Sequence, residues 1–127
     1  MGLQIMARPE VTTKDQTVLV VDDERYIVDL LADLLEEEGY LVQRAYDGAS
    51  AFEIIERDAP DLILADVMMP YLDGLALVGK LRERGMNVPI ILMSAAVTPR
   101  YADVTFVPKP FDIDHVLHVI ARELPER

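Results

Sequence analysis

The sequence predicts an α/β domain, a five-stranded parallel sheet with helices on both faces. Three observations carry that reading. Five short β-branched runs recur along the chain, at 17–21, 41–45, 61–65, 89–93 and 104–107. Four of them are apolar almost throughout, as strands are when both sheet faces are covered. Between them lie segments with apolar residues at three- and four-residue steps, the period of helices that lay one face on a sheet.

Residues 1 to 16 are polar and aperiodic, with Pro9 and a Thr-Thr-Lys-Asp-Gln run, and read as a flexible N-terminal tail. After the first strand, Ile27, Leu30, Leu31, Leu34 and Leu35 outline a helix that Gly39 stops. The second strand, Leu41 to Ala45, carries the polar pair Gln43 and Arg44. Asp47-Gly48 is a turn signal, and a helix follows from Ala49 to Arg57. A third helix runs from about Leu75 to Arg84 and stops at Gly85. The last helix starts from Asp112 as its N-cap and reaches Glu123.

Strands alternating with helices need right-handed crossovers, and five strands then favour the flavodoxin-like order 2-1-3-4-5. One connection is irregular. Only residues 95–103, with Pro99 among them, separate Ser94 from the fifth strand. A parallel crossover ordinarily takes about a dozen residues or more. The helix expected there, the fourth of the ordinary pattern, is therefore very short or absent. The folded domain is expected over 17–124, with no effector domain after it.

Composition narrows the function. The chain is 51% apolar and 28% charged, a globular balance. Its 23 acidic and 12 basic residues give a net charge of −11, which argues against nucleic acid or an anionic membrane as partner. No cysteine is present, so disulfides, thiolate zinc sites and cysteine nucleophiles are excluded. No secretory signal appears, and no run approaches the roughly 18 apolar residues of a membrane span. A soluble, cytoplasmic protein is expected.

In an open α/β sheet, ligands bind outside the carboxyl ends of the strands, where the strand order reverses. The residues just past the apolar runs are Asp22, Asp23 and Glu24, then Asp66, then Ser94, then Pro108 and Lys109. Singly, each is an ordinary turn, cap or surface residue. Together they bring carboxylates, a hydroxyl and an ammonium to one edge of the sheet. Three carboxylates in one cleft repel each other unless a cation joins them. All-oxygen donors select a hard ion such as Mg²⁺. Beside it an Asp can act as nucleophile toward a phosphoryl group, with Lys and a hydroxyl neutralising the transferring oxygens.

Asp22-Asp23, Asp66-Val-Met-Met-Pro70 with Asp73-Gly74, Met93-Ser94-Ala95 and Lys109-Pro110-Phe111 resemble the receiver domain of two-component response regulators. The similarity covers about 17–123 and is nearest the stand-alone receivers of chemotaxis and phosphorelay type. It implies that Asp66 is the phosphoacceptor, charged from a phosphohistidine on a histidine kinase or a histidine phosphotransfer protein. It implies Mg²⁺ held by Asp22, Asp23, Asp66 and the main-chain carbonyl of Met68. Ser94 would bind a phosphoryl oxygen and move on phosphorylation, Lys109 would pair with the phosphate, and the small Ala95 would leave the approach open. The resemblance also implies a cis Lys109-Pro110 bond and places Phe106 at the position of the switch aromatic. The chemistry so implied is on the chain itself, self-catalysed aspartyl phosphorylation and dephosphorylation, with a downstream protein target unnamed.

Three other functions share parts of this pattern. A Mg²⁺-dependent aspartyl phosphatase of haloacid-dehalogenase type expects Asp-x-Asp after strand one and a cap, whereas Asp22 and Asp23 are adjacent. A nucleotide binder expects a Gly-, Ser- and Thr-rich loop there. A receiver-like scaffold that takes no phosphate needs none of the site residues. Outside the site, His115 and His118 lie at i and i+3 on the last helix, where one can face the sheet. Glu36-Glu37-Glu38 reads as a solvated helix end, and Met68 and Met69 as loop and packing residues.

Overall fold

The computed structural model describes residues 16–70, 72–95 and 104–124. In chain order they form β1 (Thr17–Val21), α1 (Arg25–Glu37), β2 (Leu41–Ala45), α2 (Gly48–Arg57), β3 (Leu62–Asp66), α3 (Gly74–Glu83), β4 (Ile90–Ser94), β5 (Thr105–Pro108) and α4 (Ile113–Glu123). The sheet is parallel in the order β2-β1-β3-β4-β5, as the alternation of the sequence predicts. The expected tail at 1–15 lies outside the described residues. So does 96–103, where the short or missing helix was expected. Gln16 is buried, and its carbonyl accepts from the Leu41 N–H at 3.1 Å, so ordered pairing begins one residue before β1.

The core has two layers because strand side chains alternate. Leu19, Val21, Ile63, Ala65, Ile90 and Leu92 face α2 and α3, where they meet Phe52, Ile55, Leu77 and Leu81. Val18, Val20, Leu62, Leu64, Ile91 and Met93 face the other way, against Val28, Leu31 and Leu35 of α1 and Val116, Val119 and Ile120 of α4. Full burial of one such side chain stabilises by about 1.5–3 kcal/mol, so these two layers fix which face of each strand is turned to which pair of helices.

Several boundaries differ from the sequence reading. β3, β4 and β5 each begin and end one residue later than expected, and they close on Asp66, Ser94 and Pro108 because backbone pairing is indifferent to the polarity of the side chain. Pro108 is tolerated there because β5 is an edge strand, whose outer side needs no N–H. Asp47-Gly48 opens α2 instead of making a separate turn: Asp47 Oδ1 accepts from the Ser50 N–H at 2.7 Å. Asp73 caps α3 in the same way through the Ala76 N–H at 2.8 Å. Gly39 and Gly85 take φ of 98° and 73° at the ends of α1 and α3, conformations that suit glycine.

Two side-chain assignments are corrected. Leu30 is exposed, and the buried stripe of α1 is Val28, Leu31, Ala32 and Leu35. Two residues on from Val28, Leu30 points to nearly the opposite side of the helix from that stripe, into solvent. His115 and His118 are both exposed, so neither faces the sheet, because Val116, Val119 and Ile120 take that face of α4. Glu36 is partly used within the fold, 3.6 Å from Arg44 Nη2 on β2, beside the Arg44 pairs with Asp29 and Asp33. Among the described residues no helix is long and apolar enough to cross a membrane.

Candidate functional site

Strand register builds the site. Val21 pairs with Ala65, which sets Asp22 and Asp66 side by side at the ends of β1 and β3. Asp66 pairs with Met93, so Ser94 lies one residue further along β4. Ser94 pairs with Pro108, which leaves Lys109 as the next residue beyond β5. The Lys109 N–H donates to the Ser94 carbonyl at 2.9 Å, and the Lys109-Pro110 bond is cis, as the resemblance implies.

Asp22 is fully buried, Asp66 nearly so, and Asp23 is exposed. One carboxylate oxygen from each of the three lies within 4.8 Å of those of the other two. Lys109 Nζ enters the cluster, 3.2 Å from Asp22 Oδ2 and 3.3 Å from Asp66 Oδ1. The Glu24 N–H donates to Asp22 Oδ1 at 3.0 Å, and the Met68 N–H donates to the Asp66 carboxylate. Met68 itself extends an exposed side chain from the β3–α3 connection. Ser94 is buried beside the cluster, and Ala95 is exposed. Phe106, on β5, is half-buried and packs on the layer that faces α2 and α3.

The electrostatics show a cluster short of positive charge. Burial raises the Asp22 pKa, the Glu24 N–H and Lys109 work against that rise, and the Asp66 charge adds to it. Burial raises Asp66 too, opposed by Lys109 and the Met68 N–H, with Asp23 adding to the rise. Burial disfavours the charged form of Lys109, but Asp22 and Asp66 outweigh it, and its pKa is raised. One ammonium therefore does not offset three carboxylates. Hard oxygen donors converging within a few ångströms, with negative charge left over, fit a divalent cation such as Mg²⁺.

The response regulator receiver domain model matches residues 18–121. The chain belongs to that family. It is 40% identical to the response regulator MprA of Mycobacterium ulcerans, over 79% of this chain and 46% of that protein. The MprA of Mycobacterium tuberculosis is 39% identical over the same shares. The chain thus spans just under half the length of the curated relatives it matches. The receiver domain of the Francisella response regulator 1452 superposes with a TM-score of 0.80 at 32% identity, covering 85% of this chain and 95% of that one. The response regulator TrrA of Thermotoga maritima, solved with Mg²⁺ and BeF, gives a TM-score of 0.78 at 32% identity, covering 86% of this receiver and 99% of TrrA.

Gly48, read from the sequence as part of a turn, and Gly74, read as part of the family motif, turn out to be packing positions in this receiver. Gly74 lies so close to β3 that a Cβ on it would come within 2.5 Å of the Asp66 carbonyl oxygen. Gly48 presses on Leu72 in the same manner. The available signal was the repeated Asp-Gly at the start of a helix. An Asp there is a cap, but a glycine in the first turn gains nothing from its backbone freedom and so points to close contact.

Proposed function

We propose that this receiver takes a phosphoryl group onto Asp66 from a phosphohistidine donor, in a Mg²⁺-dependent reaction, and thereby changes which protein it binds. The observation that supports it best is the meeting of Lys109 Nζ with Asp22 and Asp66 inside a cluster of three carboxylates. Asp22, Asp23, Asp66 and the Met68 carbonyl would hold Mg²⁺. When bound, the ion supplies positive charge to the transferring phosphoryl oxygens.

The chain's own residues account for the rest. A carboxylate oxygen of Asp66 attacks phosphorus as the P–N bond to the donor imidazole breaks. Lys109, already 3.3 Å from Asp66 Oδ1, pairs with the new phosphate. Ser94 supplies a hydroxyl to a phosphoryl oxygen, and Ala95 leaves that approach open. Phe106 turns further into the layer it already touches, which alters the surface around β5. The chemistry stays on Asp66, and no separate substrate is turned over. The donor is a histidine kinase or a histidine phosphotransfer protein. The net charge of −11 supports protein partners over nucleic acid or membranes for this domain.

Intact mass after incubation with acetyl phosphate and Mg²⁺ tests the reading. A gain of one phosphoryl group is expected, absent in Asp66→Asn and in EDTA. A gain that survives in Asp66→Asn, or none in the wild-type protein, overturns it. The second of these outcomes leaves a receiver that acts as a scaffold.

A further inference from the structure

We propose that Gly48 is a positioning residue for the phosphorylation site, through the β3–α3 connection that carries Met68. The proposal rests on the reading of Asp66 and Mg²⁺ above. Gly48 is buried in the first turn of α2. A Cβ there would overlap the Leu72 carbonyl oxygen, and would lie 2.9 Å from Leu72 Cβ and 3.0 Å from the Leu72 carbonyl carbon. Real Cβ atoms do not approach backbone so closely, so any side chain at 48 moves Leu72.

Leu72 has little room to yield. Its side chain packs on the core layer under α2 and α3, and Asp73, the next residue, caps α3. At the other end of the connection, Gly74 rests on the Asp66 backbone, and its N–H donates to the Val67 carbonyl at 3.0 Å. The connection is thus gripped at two points by residues without a Cβ. Met68 lies between them, donating its N–H to the Asp66 carboxylate. A push at Leu72 is passed to the segment from which Met68 would offer its carbonyl to the ion. Gly48 touches none of the reacting groups, and its effect is on where they stand.

Gly79 provides the contrast. It lies in the middle of α3, and a methyl carbon added there would have nothing within 4 Å, so Gly79→Ala changes backbone entropy and leaves the connection alone.

Two variants disturb this anchor in different ways: Gly48→Ala overfills the space against the Leu72 carbonyl, and Leu72→Gly removes the side chain that holds Leu72 on the core. Mg²⁺ affinity is measured by calorimetry at a temperature where circular dichroism shows each protein folded. Gly48→Ala and Leu72→Gly are each expected to bind Mg²⁺ about tenfold more weakly than wild type, as supporting residues around metal ligands do when changed. Gly79→Ala is expected to match wild type. In the metal-free proteins, the Gly74 amide is expected to exchange its hydrogen faster in both test variants and not in Gly79→Ala. A folded Gly48→Ala with wild-type affinity and exchange overturns the proposal. If Gly48→Ala does not fold, the same result for Leu72→Gly overturns it. A wild-type protein that binds no Mg²⁺ overturns the reading beneath it, which the wild-type arm alone reveals.

Discussion

Lys109 Nζ lies 3.3 Å from Asp66 Oδ1 although β4 separates their strands. The lysine stands one residue beyond the Ser94–Pro108 pair, and its side chain crosses the end of β4 to reach β3. It also reaches Asp22 on β1, so one ammonium serves carboxylates from two strands. Lys109→Ala leaves the buried Asp22 and Asp66 without their cation. In EDTA at pH 7 it is expected to lower stability by about 1–3 kcal/mol, the cost of stranding a buried polar partner. Urea denaturation reads this, and an unchanged midpoint would show that the ion pairs contribute nothing.

Asp22 carries the opposite sign. Its folded pKa is raised by burial, so the folded state holds the proton more tightly than the unfolded chain. That contribution is fully present below the ordinary value of 3.8 and is lost as pH rises through the folded value. At neutral pH the ionised Asp22 therefore costs stability. Asp22→Asn keeps an acceptor for the Glu24 N–H and is expected to stabilise the metal-free protein at pH 7. The advantage should narrow as the pH falls toward the ordinary carboxylate range. Urea midpoints for both proteins at a series of pH values check this, and a gap independent of pH would contradict it.

Gly79→Ala is expected to stabilise the protein by about 0.5–1 kcal/mol, the intrinsic preference of alanine in a helix interior. The site is open, with nothing within 4 Å of the added carbon. Thermal denaturation measures it, and a fall in midpoint would mean that the added methyl meets something after all.

Tyr40 is buried beside Glu38, and both the burial and the neighbouring charge raise its phenol above the ordinary 10.0. A raised value means that its contribution is present below 10.0 and lost as pH climbs through the folded value. Alkaline titration followed by ultraviolet absorbance is expected to show a late-ionising component that disappears in Tyr40→Phe. A titration curve unaltered by that change beyond the loss of one ordinary tyrosine would refute it.

The sequence carried the sheet, its order and the acidic, hydroxyl and ammonium groups at its edge. These are legible because they depend on local pattern: apolar runs for doubly covered strands, helical period between them, and polar residues where each run ends. Asp22, Asp23, Asp66, Ser94 and Lys109 could be picked out one strand at a time. The misjudged residues lie on helices, where the period is legible but the side that meets the sheet is set by packing. Leu30 shares a helical period with Ile27 and Leu34 but lies away from the stripe of Val28, Leu31, Ala32 and Leu35 that meets the sheet, and both histidines of α4 are exposed because Val116, Val119 and Ile120 take its inner face.

Tertiary structure alone decided the distances. Register set Asp22 beside Asp66 and carried Lys109 over β4 to both, and no local pattern encodes a contact made across an intervening strand. It also decided why Gly48 and Gly74 are glycines. Neither needs a left-handed backbone, and each is required by an atom from another element that fills the space its side chain would take. A sequence records the conformations its residues prefer. The volume left to each residue belongs to the packed molecule.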